Sequence, residues 1–259
     1  MREGPIVLIT GGASGIGRTI AESFLELGHR VHVCDSDPAA VASCRDEIPE
    51  ITATTADISD VDDVAVLFDD LVGHYNGLDI LVNNAGIAGP TAAVEDIDPA
   101  DWQRTIAVDL NGQFYCTRLA VPLLKSAGGG SIVNIASNAA FFGFPLRLPY
   151  TACKWALIGF TKTLAMELGP HAIRVNAVCP GSVAGPRIDG VIERDAAARG
   201  CPAGDIASLY RRQSSLRTFV EARDVANLVT FLTSEHGARI SGQALGVDGH
   251  TENLSSGFD

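Results

Sequence analysis

Short apolar runs rich in β-branched residues alternate along this chain with longer stretches in which apolar side chains return every three or four residues. The short runs are Ile6 to Ile9, Val31 to Cys34, Ile51 to Thr54, Ile80 to Val82, Ile132 to Ile135, Val175 to Val178 and Ala244 to Val247. They are nearly continuously apolar, which predicts strands buried on both faces of a parallel sheet. Helical periodicity covers residues 15–27, 38–47, 60–75, 99–125, 150–168 and 221–233. This alternation predicts a doubly wound α/β fold with helices on both faces of the sheet. With no internal linker, residues 1–259 are expected to form a single domain. Residues 182–218 fit the alternation worst. Gly185, Pro186, Gly190, Gly200, Pro202 and Gly204 surround two short helical stretches there. That segment reads as an insertion over the site, a lid.

Composition narrows the class. A chain of 259 residues is within reach of one α/β domain, and 46% hydrophobic residues can build a large core. Residues 126–146 lack charge, but Gly128, Gly129, Gly130, Asn134, Asn138, Gly143 and Pro145 make them a poor membrane helix. They read as a strand followed by a site loop, and no membrane partner is expected. With 31 acidic against 19 basic residues the net charge is −12, which disfavours nucleic acid. Six dispersed cysteines form no Cys-x-x-Cys pair and have no accompanying histidine cluster. Reduced thiols in a cytoplasmic protein without a metal site are the expectation. The N-terminus enters the first strand without the pattern of a signal peptide.

The run Thr10-Gly11-Gly12-Ala13-Ser14-Gly15-Ile16-Gly17 follows the first strand and opens the first helix. Its glycines let the backbone turn sharply and approach a pyrophosphate, which the N–H groups and dipole of the helix N-terminus attract. Gly11, Ser14, Gly15, Ile16 and Gly17 are therefore candidate cofactor contacts. Asp35 follows the second strand, where a carboxylate can accept the adenosine ribose hydroxyls and repel a 2′-phosphate. Ser14 and Ser36 offer no positive charge to such a phosphate, so NAD is expected over NADP. Asp35 can also cap the next helix, although Asp37 suits that role better. Asp57-Ile58 follows the third strand and suits either recognition of an adenine edge or an N-cap for the 60–75 helix. In Asn83-Asn84-Ala85-Gly86, after the fourth strand, small residues let the backbone pass close to a cofactor. Asn83 is expected to brace neighbouring strands rather than touch a ligand.

The spacing Ser137-x12-Tyr150-x3-Lys154 carries the chemistry. Tyr150 and Lys154 share a helix face at i and i+4. A free phenol titrates near ~10, and bringing one to neutrality takes about 4 kcal/mol at ~1.36 kcal/mol per unit. A lysine ammonium and an oxidised nicotinamide can supply this by favouring the phenolate. Lys154 can also hold the nicotinamide ribose. Ser137 ends the fifth strand and can hold the reacting oxygen. Asn111, beside Gly112 in the long 99–125 helix, is expected to mark a local break that holds a water for proton exit from Lys154.

With these motifs in place, the chain resembles the short-chain dehydrogenase/reductase family over nearly its whole length. The resemblance rests on Thr10 to Gly17, Asp57, Asn83 to Gly86, Asn111, Ser137, Tyr150-Thr151-Ala152-Cys153-Lys154 and Pro180-Gly181. It implies a Rossmann-like fold with a seven-stranded parallel sheet, and a catalytic tetrad of Asn111, Ser137, Tyr150 and Lys154. It also implies a homotetramer or homodimer pairing through helices 99–125 and 150–168. Many members follow Pro-Gly with a threonine that holds the nicotinamide carboxamide. Here Ser182-Val183-Ala184-Gly185-Pro186 follows instead, leaving the backbone of Val183 for that contact.

Residues 138–149 lead into Tyr150 and are expected to flank the substrate. Phe141, Phe142 and Phe144 suit an apolar wall, core packing or subunit packing. Asn138 is a candidate substrate contact. Arg147, or Arg187 in the lid, can pair an anionic substrate group; a subunit contact is the other reading of Arg147. Three functions are compatible with these residues. The first is an NAD-dependent dehydrogenase of a small-molecule secondary alcohol, diol, polyol or hydroxy acid. The second is a 3-oxoacyl carrier-protein reductase, whose acidic partner would need a basic patch from Arg211, Arg212 and Arg217. The third is a non-catalytic NAD-binding protein, against which the intact Ser137, Tyr150 and Lys154 argue.

Overall fold

Each of the seven apolar runs is a strand in the computed structural model, which describes residues 4–254. The strands are β1 (Ile6–Thr10), β2 (Arg30–Asp35), β3 (Thr52–Thr55), β4 (Ile80–Asn83), β5 (Gly130–Ile135), β6 (Ile173–Pro180) and β7 (Ala244–Val247). They form one parallel sheet in the order β3-β2-β1-β4-β5-β6-β7. The helices are α1 (Gly15–Glu26), α2 (Pro38–Glu47), α3 (Val61–Tyr75), α4 (Pro99–Ile106), α5 (Gly112–Ser126), α6 (Leu148–Leu168), α7 (Pro186–Arg199), α8 (Ala203–Arg212) and α9 (Ala222–Thr233). The Rossmann-like doubly wound architecture is thus the one the pattern predicts.

The strand period divides the core in two. Val7 and Ile9 of β1 join Val31 and Val33 of β2 in packing on Ile20 and Phe24 of α1 and on Val225 and Val229 of α9. Ile6 and Leu8, one residue out of phase, face Leu67 and Leu71 of α3 and Ala120 and Leu124 of α5. With both faces covered, strand side chains of either parity are mainly apolar.

Two segments depart from the simple alternation of strand and helix. The single helix at 99–125 is interrupted: a π-helical turn at Ala107–Asn111 separates α4 from α5. Such turns insert one extra residue and commonly accompany functional sites. Residues 182–218 contain α7 and α8, which pack on each other through Val191, Ile192, Ala196, Ile206 and Tyr210 as a small core of their own. The cysteines of the described residues are free, and burial pushes the thiols of Cys116, Cys153 and Cys179 up to about 12. None of these three is a nucleophile at neutral pH.

At the β3 edge of the sheet His32 is wholly buried, its ring nitrogens bonded to the hydroxyls of Thr52 (2.7 Å) and Thr54 (2.9 Å). Asp70 and His74 of α3 close a His-Asp-His group whose ligand atoms lie within 4.8 Å of one another. Burial lowers the His32 pKa from 6.5 to about 4, against a smaller opposing pull from Asp70. The unfolded chain therefore takes up this proton near 6.5 and the folded chain only near 4. The stability contributed by a neutral His32 is complete above 6.5 and is lost as pH falls toward 4. Urea denaturation should show about 2–3 kcal/mol lost between roughly pH 7 and pH 4.5 from this group, and His32→Gln should remove that share. An identical loss in wild type and variant would assign the acid sensitivity elsewhere.

Candidate active site

Because every strand runs the same way, the loops leaving their C-terminal ends meet on one side of the sheet. They enclose a cavity of about 590 Å³ that runs from Asp35 at the end of β2 to Arg187 and Tyr210 in α7 and α8. Its middle lies where the chain reverses its direction of winding, between β1 and β4, the crevice in which doubly wound folds bind ligands.

At one end the glycine turn forms a cradle. Gly11, Ser14, Gly15, Ile16 and Gly17 all border it. Gly17 is required by close approach, since a Cβ there would lie 2.1 Å from the Gly11 carbonyl. A Cβ on Gly15 would instead meet nothing within 4 Å. Ser14, the N-cap of α1, makes no side-chain capping bond, so the first N–H groups of that helix remain open toward the space beside Gly15. An open helix N-terminus beside empty space fits a pyrophosphate. The turn is held from the next strand. Thr10 Oγ1 accepts from the N–H groups of Asn84 (3.1 Å) and Ala85 (3.0 Å), and Asn84 Nδ2 donates to the carbonyls of Thr10 and Gly11, both at 2.9 Å. The Asn84 side chain is thus a brace for the cradle, and Asn84, Ala85 and Gly86 line the cavity.

Asp35 borders the cavity, and Asp37 is the cap of α2, accepting from the Ala39 N–H at 2.9 Å. Arg18 is drawn away by Glu22 (3.1 Å) and Glu47 (2.8 Å). Asp57 and Ile58 line the same end. Asp60, not Asp57, caps α3. Asp57 instead accepts from Ser59 and from Arg104 Nη2 at 2.9 Å; burial opposes its ionisation, but these donors outweigh it and hold its pKa below the usual value. Arg104 is a cavity residue that the sequence reading missed, signalled only by its basic character in the last turn of α4. Asn83 is structural: buried, it donates to Thr117 Oγ1 (3.0 Å) and Asn134 Oδ1 (2.9 Å), joining β4 to α5 and β5.

Tyr150 and Lys154 lie in the first two turns of α6 and both border the cavity. The Lys154 Nζ is 5.3 Å from the centroid of the Tyr150 ring, and the residue is 3% exposed. It donates to the Ile135 carbonyl at 3.3 Å and pairs with Asp109 Oδ2 at 3.4 Å. Asn111 was expected to reach this ammonium through a water. The side chain that meets Lys154 directly is Asp109, two positions earlier on the π-helical turn. At about 100° per residue, two positions separate nearly opposite faces of a helix. Asn111 is half-buried and does not border the cavity. The available signal was a carboxylate in the otherwise apolar run Ile106-Ala107-Val108-Asp109-Leu110. Asp109 is wholly buried, and its Oδ1 accepts the Ile87 N–H at 2.7 Å, which fixes the loop after β4.

Ser137 follows β5 at the cavity wall. Its Oγ accepts from the Ala139 N–H at 3.1 Å and donates to Asn138 Oδ1 at 3.2 Å. The Asn138 Nδ2 donates to Thr251 Oγ1 at 2.9 Å, so that side chain orients Ser137 and is committed at both ends. Pro180, Gly181 and Val183 line the cavity beyond β6. Val183 pairs with Val220 through the flanking bonds of Ala184 N–H to the Val220 carbonyl and of Val220 N–H to the Ser182 carbonyl. Strand alternation then turns Val183's own N–H and carbonyl to the opposite side. Gly185, near the place of the missing threonine, has φ +132, a conformation that a side chain resists. Of the three phenylalanines, only Phe144 lines the cavity; Phe141 is exposed. Arg147 and Arg187 both line it.

Removing one partner of a buried ion pair strands the other. Asp109→Ala is expected to cost about 3–5 kcal/mol in urea denaturation at neutral pH, and Asp109→Asn less, since an amide oxygen still accepts the Ile87 N–H and fills the same space. Equal stability of wild type and Asp109→Ala would show that the pair does not hold the site together.

The arrangement has relatives. Residues 5–195 match the family described as short chain dehydrogenase. The chain is 36% identical over 260 residues to momilactone A synthase of Oryza sativa subsp. japonica, covering 98% of this chain and 92% of that protein. It is 35% identical over 254 residues to trans-4-hydroxycyclohexanecarboxylate dehydrogenase of Sinomonas cyclohexanicum, covering 94% and 91%. The crystal structure of a single-residue variant of actinorhodin polyketide ketoreductase with NADPH superposes with a TM-score of 0.92 at 31% identity, over 96% of this chain and 97% of that one. A parallel sheet in this order, a glycine cradle at its switch point and a tyrosine–lysine pair beside it accompany that match over most of the chain, which belongs to the short-chain dehydrogenase family.

Proposed function

We propose that the chain is an NAD-dependent oxidoreductase of a small secondary alcohol, with Tyr150 as the proton-transfer group. The observation that carries this is the convergence of Tyr150, Lys154 and Ser137 on one cavity with the glycine cradle. Gly11 to Gly17 would hold the pyrophosphate, Asp35 the adenosine ribose, and Val183 the carboxamide through its backbone. When bound, the nicotinamide supplies hydride acceptance and donation. The chain supplies the rest. Ser137 holds the alcohol oxygen, and Tyr150 takes the hydroxyl proton as hydride leaves the carbon. A cation held beside a phenol favours its phenolate. Lys154 has three N–H donors, of which Ile135 and Asp109 engage two directions, leaving one for the ribose hydroxyls. Asp109 thus acts as the positioning residue of Lys154.

NAD is favoured over NADP by Asp35, by the uncharged Ser14, and by the commitment of Arg18 to Glu22 and Glu47. The relative acting on a hydroxycyclohexanecarboxylate supports a secondary alcohol as substrate. A carrier-protein reductase is less well supported. Arg217 pairs with Glu252 at 3.3 Å and Arg211 stacks on Phe219, which depletes the basic patch that such a partner needs. Free cysteines agree with a cytoplasmic setting, and among the described residues no helix is long and apolar enough to cross a membrane. In this scheme α7 and α8 form the lid over the substrate.

Exposed Phe114 on α5, with Trp155 and Met166 on α6, supports a homotetramer or homodimer formed through those helices. Sedimentation should give a mass of two or four chains; a monomer at micromolar concentration would remove this reading. For the chemistry, purified protein with NAD should reduce the cofactor on a panel of secondary alcohols and hydroxy acids. Turnover with NADP alone would refute the role given to Asp35. Tyr150→Phe should lower turnover by about 10²–10⁴-fold with NADH binding retained. Undiminished turnover would displace Tyr150 from the mechanism.

A further inference from the structure

The substrate end of the cavity holds a charge for which the described residues provide no ion-pair partner. Arg147 precedes α6 directly and is 4% exposed. Arginine is almost never buried to this degree without a partner. Its Nη2 donates to the Ala88 carbonyl at 2.8 Å. Its Nε is enclosed and has no hydrogen-bond partner. No carboxylate of the described residues forms an ion pair with it. A guanidinium has five N–H donors, and one carbonyl is slight compensation for its lost water. The aromatic faces nearby, Tyr150 at 5.1 Å and Phe144 at 5.6 Å, add only cation–π attraction.

The surroundings add to the excess of positive charge. Burial lowers the Arg147 pKa, Tyr150 and Tyr210 oppose this, and the neighbouring guanidiniums of Arg187 and Arg194 lower it further. An arginine remains protonated even so. Arg187, exposed at the start of α7, lines the same cavity and reaches across it to donate to the Gly86 carbonyl at 3.1 Å. The buried carboxylate of the lid, Asp195, is already committed to Arg199 at 2.6 Å and to the Tyr210 hydroxyl. In a chain of net charge −12, Arg147 and Arg187 both line the cavity beside Tyr150, and neither forms an ion pair with a carboxylate of the described residues. Phe144, Ile188 and Val191 add apolar surface to this end of the cavity.

We propose that Arg147 is the anion-binding residue of the substrate cavity, and that the substrate is a hydroxy acid, or the corresponding keto acid, whose carboxylate pairs with Arg147. The planar fork of a guanidinium matches a carboxylate in two parallel hydrogen bonds, which fixes orientation as well as binding. Arg187 lies over the same group from α7, and the carbon skeleton rests on Phe144 and Val191. This inference rests on the reading that Tyr150 is the reacting centre, since it places the carboxylate at one end of a short skeleton and the secondary hydroxyl at the other.

The test separates the two readings. Benzoate and benzamide, alike in shape and different in charge, are titrated calorimetrically into the wild-type protein with NAD present. Benzoate is expected to bind about 10–100-fold more tightly, and Arg147→Gln to abolish that preference. Arg147→Lys, which keeps the charge and loses the fork, should retain part of it. Because a buried substitution can unfold the chain, the exposed Arg187→Gln serves as a second variant and should reduce the preference by a smaller factor. Equal binding of benzoate and benzamide by wild type, or a preference that survives in folded Arg147→Gln, overturns the proposal. Turnover of neutral alcohols through Tyr150 without a benzoate preference removes the anion site alone. A benzoate preference that persists while Tyr150→Phe keeps full turnover removes the chemistry and leaves the anion site standing.

Discussion

One ammonium group ties the site together. Lys154 leaves α6, meets the end of β5 at the Ile135 carbonyl, and meets the π-helical turn at Asp109. Asp109 in turn holds the loop after β4 through the Ile87 N–H. Four elements from distant parts of the chain are thereby registered on one buried charge pair. An ammonium taken out of water is costly unless it is paired and hydrogen-bonded, so the pair and its partners stand or fall together. The extra residue of the π-helical turn lies where a carboxylate has to reach that ammonium, between α4 and α5.

The cradle at the other end depends on a different constraint, the closeness of backbone to backbone. A Cβ on Gly17 has no room beside the Gly11 carbonyl, so α1 can approach β1 only with glycine there. Thr10 and Asn84 then lock the turn to the loop after β4 with four hydrogen bonds. The same loop continues to Gly86 and Ile87, where it meets the lysine pair. Cradle and reacting centre are therefore rigidly connected through β4. Among the buried side-chain atoms without a hydrogen-bond partner, the Arg147 Nε belongs to a charged group that lines the cavity and forms no ion pair with a described residue.

Much of this was legible in the chain. The strands could be read from their apolar runs because both sheet faces are covered, and the cradle from glycines whose spacing suits a strand-to-helix turn. Tyr150 and Lys154 could be paired because i and i+4 share a helix face. Local pattern failed where the outcome depended on helix phase. The run 99–125 is helical by periodicity, and Asn111-Gly112 marks the break in it, but not the π-helical form of that break or the phase it sets. Asn111, beside Gly112, drew attention as a helix-unfriendly residue, yet the phase of the broken helix points Asp109 at the lysine. The brace formed by Asn83, Asn134 and Thr161 links residues that no local spacing connects.

The sequence by itself determined the order of strands and helices, the glycine turn, and the tyrosine–lysine pair, since each follows from interactions within a few residues. Only the tertiary structure decided which carboxylate faces Lys154, which arginines face the cavity and which are spent on other acids. Charge partners are chosen by distance in space, and the burial of Arg147 without an ion-pair partner among the described residues arises only where the site loop, α7 and the loop after β4 meet.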